Sequence, residues 1–261
     1  SNRGLRVGLM RVPLKTRQRD WGAAPLAIET GCVVAREMLT RSPRFEATGG
    51  GDIQGKRVLC LAAGGGRQGP IYAAAGGIVT VVDISDEMLA IDRDVAQQRN
   101  LEIRVVEQSM DDLSCFEPSS FDIVIHPVST CYIPNIESVY RQVARVMEPG
   151  GIYISQHKQP TSLQVESDSG GVYRIAASYY RTEPLVPART ASLVREAGTY
   201  EYIHRWQELV GGMCRAGFVI EDLAEPQHVD PTAELGSFGH RSSFVAPYVR
   251  IKARRTSQSV P

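Results

Sequence analysis

The chain has no net charge to speak of. Its 29 Lys and Arg are balanced by 29 Asp and Glu, so it offers no general basic field for nucleic-acid phosphates, and bulk nucleic-acid binding is not expected. No run of residues is long and apolar enough to cross a bilayer, and no membrane association is expected. Cysteine is scarce and odd in number: Cys32, Cys60, Cys115, Cys131 and Cys214, with no C-x-x-C spacing. That pattern argues against a disulfide framework or a zinc site and points to a reducing, cytoplasmic compartment. Cys60 and Cys214 lie in apolar stretches and read as packing residues. No His, Asp or Glu cluster has metal-ligand spacing, so no metal is expected, and there is no internal repeat.

What is present is an ordinary globular composition over 261 residues, 43% hydrophobic and 22% charged, enough for one domain with insertions. Arg3, Arg6, Arg11, Lys15, Arg17 and Arg19 precede the first acid, Asp20. No apolar run follows them as a targeting peptide would require, so residues 1–20 read as a solvated basic arm. Asp20 to Arg41 has a helical apolar pattern.

From residue 57 apolar strands alternate with helices. Strands are predicted at 57–62, 78–83, 103–107, 121–126 and 151–157, and helices at 68–75, 86–99 and 135–147. Ser85 is a candidate N-cap, and Gly76-Gly77 and Glu148-Pro-Gly-Gly151 are helix stops. Such alternation with near-continuous apolar strands predicts an α/β fold with a parallel sheet covered on both faces. Residues 158–203 break the rhythm, being rich in Tyr, Arg, Pro and Gly. A helix from Trp206 to Ala216 and two late strands with a short connection, opening at 217–220 and 247–252, suggest a closing antiparallel hairpin.

The segment with most chemical content is Arg57-Val-Leu-Cys-Leu-Ala-Ala-Gly-Gly-Gly-Arg-Gln-Gly-Pro70 followed by Val81-Val-Asp-Ile-Ser85. A strand runs into a turn almost without side chains, where backbone can approach a ligand closely. Asp83, at the tip of the next strand, can accept hydrogen bonds from both ribose hydroxyls of an adenosine. An adenosine-containing cofactor is the expectation.

This layout resembles the class I S-adenosylmethionine-dependent methyltransferases. The resemblance rests on Val58-Leu-Cys-Leu-Ala-Ala-Gly-Gly-Gly66, Val82-Asp-Ile-Ser85, Phe121-Asp-Ile-Val-Ile125, Met147-Glu-Pro-Gly-Gly151 and Arg215-Ala-Gly-Phe218. It covers about residues 56–157 and 204–253. It implies a Rossmann-like, seven-stranded, mostly parallel sheet with a C-terminal antiparallel hairpin. Four segments result: a basic arm and N-terminal helical cap (1–50), a cofactor-binding core (51–157), a lid or substrate insertion (158–203) and completion of the sheet (204–261). Two departures stand out. The acid that the family usually places two residues before its first glycine is here Cys60, and that glycine is Ala62. Ser109 replaces the acid usual before the adenine-facing loop.

The resemblance implies S-adenosylmethionine as cofactor, held by Ala62, Ala63, Gly64, Gly66, Asp83, Ile84, Ser109, Met110, Asp111 and His126. His126, at the end of the fourth strand, is a candidate general base because its pKa lies near neutrality. Tyr132 is a second catalytic candidate that would cover the methionine end. His157 and His204 have weaker claims. Trp21, Tyr173, Tyr179, Tyr180, Tyr200 and Tyr202 are candidates for an acceptor pocket. Arg174, Arg181, Arg189 and Arg195 lie in the insertion, where a clamp on an anion competes with a plain solvated surface; Glu166, Asp168, Glu183, Glu196 and Glu201 favour the latter for most of them. The expected activity is methyl transfer to a small molecule or short peptide. O-methylation, of a carboxylate before a hydroxyl, is favoured; N-methylation, a non-catalytic S-adenosylmethionine sensor and an NAD-dependent Rossmann protein are the alternatives. The protein is expected to be a monomer or homodimer.

Overall fold

A computed structural model describes residues 53–167, 170–188 and 194–257. The basic arm, the N-terminal helical cap with Trp21, and Arg189 lie outside the described residues.

The first half follows the expected alternation. Strands β1 (Arg57–Leu61), β2 (Ile78–Asp83), β3 (Ile103–Glu107) and β4 (Phe121–His126) are joined by helices α1 (Gln68–Ala74) and α2 (Asp86–Gln98), and α3 (Ile136–Val146) leads to β5 (Met147–Lys158). Beyond β5 come α4 (Pro160–Gln164), a small hairpin of β6 (Val165–Ser167) and β7 (Tyr173–Ile175), a π-helical turn at Gln207–Gly211 continued by α5 (Gly212–Arg215), then β8 (Phe218–Ala224), α6 (Phe238–Ser242) and β9 (Tyr248–Arg255). The large sheet has seven strands in the order β3-β2-β1-β4-β5-β9-β8. β1 to β5 pair in parallel, and β9 runs antiparallel between β5 and β8.

The apolar strands are explained by burial on both faces. Val58 and Cys60 on β1 point to the same side as Val79 and Val81 on β2, and pack with Tyr72 of α1 and Leu89 of α2. Leu59 and Leu61 point the other way, onto Val139, Tyr140 and Val143 of α3. Local signals also hold: Ser85 caps α2 by accepting from the Met88 amide, and Asn135 caps α3 from the Glu137 amide.

Several expectations are corrected. The strand predicted from Gly151 starts at Met147 and carries Glu148-Pro-Gly-Gly151 across a register shift opposite Phe121–Ile123. The bulge lets proline and glycine, which locally signal only a helix stop, lie within a strand. The connection between the last two strands is not short. It spans 225–247 and carries α6, because Phe238 packs against His228 and Tyr248, and Phe244 against Tyr173. Cys214 is exposed rather than packed, since the turn of helix that seats Met213 in the core directs its neighbour outward.

Two sequence motifs meet at the amino-terminal edge of the sheet. The Arg57 guanidinium donates from Nη2 to Asp122 Oδ1 (2.8 Å) and to Glu148 Oε1 (3.1 Å), and from Nε to Asp122 Oδ2 (3.2 Å). The Arg57 amide also donates to Asp122 Oδ2. This clasp joins β1, β4 and β5 at the end opposite the strand tips that carry the candidate site. The Arg57 hydrogen bonds hold the Asp122 carboxyl below its ordinary range. A carboxyl so depressed stabilises the fold above its unfolded-state pKa and ceases to as pH falls through its folded value. With both partners partly solvated, Asp122→Ala should cost about 1–2 kcal/mol in chemical denaturation and leave the affinity for S-adenosylhomocysteine unchanged. A matching loss of affinity would show that the clasp shapes the opposite edge.

Candidate active site

β1 pairs with β2 on one side and β4 on the other. The chain therefore leaves β1 toward one face and β4 toward the other, and a crevice opens beyond their carboxyl ends. The turn after β1 lines it. Ala62 adopts a left-handed backbone, φ 47°, at the position where the family pattern has glycine. Gly65 and Gly66 follow at φ 113° and 71°. Gly64 has no room for a side chain: a Cβ there would lie 2.8 Å from Met88 Cβ and 3.0 Å from Asp83 Oδ2.

Hydrogen bonds from backbone amides to two carboxylates hold the turn. Asp83, ending β2, accepts from the Gly64 amide through Oδ2 (2.9 Å) and from the Ser85 amide through Oδ1 (3.0 Å). Each carboxylate oxygen keeps a further lone pair. Asp92, on α2, accepts from the Gly65 amide through Oδ2 (2.8 Å). Sequence reasoning passed over Asp92 because one acid in a helix carries no motif. A signal was available: Met88, Ile91 and Val95 fall on the same helical stripe, where an apolar residue is expected at 92.

The predicted cofactor-binding residues gather around this turn. Ile84 projects from the β2 tip with 56% of its surface exposed, as an apolar residue facing a crevice would. The Gln108 amide donates to the Asp83 carbonyl (2.9 Å), which brings Ser109, Met110 and Asp111 beside the β2 tip. Ser109 donates to Asp111 Oδ1, while Met110 packs partly against the core. Ala63 is buried, its amide donating to the Val82 carbonyl. A turn without side chains, an acid at the neighbouring strand tip and an exposed apolar residue after it suit an adenosine and its amino-acid arm.

His126 is placed differently from a base. It is 1% exposed, Nδ1 bonds the Tyr153 hydroxyl and Nε2 the Ser129 hydroxyl, each at 2.8 Å. Burial drives its pKa down to about 3. A neutral ring with both nitrogens engaged has none free to take a proton from an acceptor. His157 is alike, held by Thr130 Oγ1 and Ser155 Oγ at 2.8 Å each, and burial lowers it well below the usual histidine range. His204 donates through Nε2 to the Thr130 carbonyl (2.9 Å), and burial lowers its pKa too. Tyr132 lies in a 3₁₀ turn, Thr130–Tyr132, beneath Lys158 Nζ at 5.4 Å from the ring centroid. Burial raises its phenol far above neutrality, so it stays protonated.

The insertion docks on this edge. Glu201, expected on the surface, is fully buried; its Oε1 takes Lys158 Nζ at 2.9 Å and its Oε2 takes Arg195 Nε at 3.3 Å. The Tyr202 amide donates to the Cys131 carbonyl (2.7 Å), and Leu163, Leu185 and Ile203 pack with Cys131. The tyrosines do not form one pocket. Tyr173 stacks on His240 and Phe244, the Tyr179 hydroxyl accepts from the Trp206 amide, and Tyr180 and Tyr200 are exposed. Arg241 of α6, which sequence reasoning also missed, is 2% exposed and donates to Ser162 Oγ (3.0 Å) and the Ser162 carbonyl (2.7 Å) just beyond β5. No carboxylate among the described residues pairs with it.

The sheet order, the glycine turn and the acid at the β2 tip define a Rossmann-like nucleotide-binding protein. The comparisons narrow the class. Residues 59–155 match the family model for a methyltransferase domain. An uncharacterized methyltransferase, YbaJ of Bacillus subtilis, is 37% identical over 177 residues, which cover 66% of this chain and 69% of that protein. A ubiquinone biosynthesis O-methyltransferase of Xanthomonas euvesicatoria is 26% identical over 152 residues, 56% of this chain and 64% of its own length. Among solved structures, an S-adenosylmethionine-dependent methyltransferase of Mesorhizobium loti superposes with a TM-score of 0.63 over 78% of this chain and 93% of its own, at 22% identity. The chain belongs to the S-adenosylmethionine-dependent methyltransferases, and S-adenosylmethionine is its cofactor. The nicotinamide-dependent alternative is thereby set aside.

Two outcomes follow. Asp83→Ala should weaken S-adenosylhomocysteine binding by about 1.5–3 kcal/mol in calorimetry, through loss of hydrogen bonds to a charged group; unchanged affinity in a folded variant would misplace the ribose. His126 and His157 are neutral when folded and titrate near 6.5 when unfolded. Unfolding binds protons they refuse in the fold, so stability should decline as pH drops from about 6.5 to 5, by about 1.4 kcal/mol per pH unit for each histidine. His126→Gln should make that limb shallower.

Proposed function

We propose that the enzyme methylates a carboxylate oxygen of a small molecule. The observation that carries this reading is Arg241. A guanidinium removed from water without a carboxylate partner among the described residues is costly to bury and is suited to meet an anion brought by a ligand. It sits beside Ser162, at the head of the segment that leaves the β5 tip, near the carboxyl edge beyond which ligands bind in a sheet of this topology. The histidines support the same reading. His126 and His157 have both ring nitrogens engaged, and a carboxylate, already ionised, asks for no base.

When bound, S-adenosylmethionine would supply a methyl group already activated on its sulfonium, and an ionised carboxylate acceptor would need no proton removed. The protein then has to bind, orient and exclude water. Asp83 and the glycine turn would hold the adenosine end. Lys158, Glu201 and Arg195 fix the insertion over the carboxyl edge. The buried His126–Tyr153 pair stiffens the floor beneath it.

The test is ester formation on a panel of small carboxylic acids set against the matching alcohols and amines. With a carboxylate acceptor the rate should stay flat from pH 6 to 9. Arg241→Gln should lower kcat/KM for that acceptor by at least about tenfold while S-adenosylhomocysteine binds as before. His126→Gln should cost less than about tenfold. A loss of about 10²–10⁴ at His126, with turnover falling as the medium is acidified, would mean a hydroxyl or amine acceptor deprotonated by a base.

A further inference from the structure

The glycine turn rests on one face of α2. A Cβ added at Gly64 would meet Met88, and one at Gly66 would meet Ile91 and Val95, each within 2.9 Å. The stripe Met88, Ile91, Val95 is apolar, yet the residue in its midst is Asp92, fully buried. Its Oδ2 takes the Gly65 amide at 2.8 Å, an amide that also reaches the Met88 carbonyl at 3.1 Å, and the Gly66 amide faces the same carboxylate. Its Oδ1 has no partner. Burial pushes the carboxyl pKa up, and the two glycine amides hold it down. Cys60 lies close enough to feel its charge.

A half-satisfied carboxylate in an apolar interior is poor for stability, and an apolar residue there would commonly serve the fold as well or better. What the acid supplies is order in a segment that cannot order itself. Three successive glycines have more backbone freedom to lose than any other tripeptide and no side chains with which to pack. Asp83 fixes only the first of their amides. Without Asp92 the Gly65 amide would keep only the longer contact to the Met88 carbonyl and the Gly66 amide would lose the carboxylate it faces, so the turn would reach its ligand-ready shape only part of the time, and apparent affinity falls by that fraction.

We propose that Asp92 is a positioning residue for the cofactor, holding the Gly64–Gly66 turn from the α2 side as Asp83 holds it from the β2 side. The role resides in the acceptor oxygen that meets the glycine amides. Asn, which keeps such an oxygen, should therefore substitute where an apolar residue should not.

The experiment compares Asp92→Ala, Asp92→Leu and Asp92→Asn with the parent. Calorimetry gives the Kd for S-adenosylhomocysteine, thermal unfolding the Tm, and hydrogen exchange the protection of a peptide spanning 62–68 without ligand. Expected are Kd values raised at least about tenfold in Ala and Leu and less than about threefold in Asn. In Ala and Leu the 62–68 peptide should exchange at least about tenfold faster, while β1 and β2 keep their protection and Tm is held or raised. In turnover the KM for S-adenosylmethionine should rise with kcat little changed. Wild-type affinity in Ala and Leu, or equal losses in all three variants, would overturn the proposal. So would a lowered Tm with protection lost evenly across β1, β2 and the turn, which is the mark of a residue that only supports the fold. If Ala and Leu fail to fold, the Asn variant decides alone: near-parent Kd and 62–68 protection uphold the proposal, and loss of either refutes it.

Discussion

The central strands are buried on both faces, and much else follows from that. With Val58, Cys60, Val79 and Val81 facing one helical layer and Leu59, Leu61 and Val82 facing the other, polar groups have few places except the strand ends. There they satisfy one another. At the amino-terminal edge Arg57, Asp122 and Glu148 form a charged clasp. At the carboxyl edge His126, Tyr153 and Ser129 make one chain of hydrogen bonds, and Thr130, His157 and Ser155 another. The two edges therefore differ in character. One is ionic and partly solvated; at the other, the floor of the crevice is made of buried side chains that carry no charge.

The glycine turn answers to the same constraint. A strand buried on both faces must deliver its chain to a ligand without a side chain in the way, so the turn gives up side chains and with them any means of packing. Acceptors from outside replace packing: Asp83 takes the Gly64 amide and Asp92 the Gly65 amide. The chain tolerates Ala62 in a left-handed backbone, at modest strain. The insertion is fixed by comparable means, with Glu201 buried between Lys158 and Arg195 and the Tyr202 amide tied to Cys131.

Much of the fold was legible because its signals are local. Apolar strand cores, Ser85 before an acidic first turn, and the glycines that stop α1 each state their role within a few residues, and the structure agrees with them. The glycine turn and Asp83 were legible for the same reason, since adjacent segments define them. Where the local signal misled, long-range pairing prevailed. Glu148-Pro-Gly-Gly151 reads as a stop until β4 draws it into a bulged strand. The 225–247 connection reads as a simple link until aromatic contacts order α6 within it.

The alternation of strands and helices through β5, the ligand turn and the acid beside it can be read along the chain, because hydrophobic period and glycine placement are local signals. Only the tertiary structure decided what each polar side chain does. His126 has the intrinsic pKa of a base, but burial and its two hydroxyl partners remove both the charge and the free nitrogen a base needs. Glu201, Arg241 and Asp92 look like surface charges in a list of residues, and each is buried in the fold. The physical reason is that ionisation and hydrogen bonding depend on burial and on neighbours distant in sequence, as Asp92 depends on Gly65 and Arg241 on Ser162.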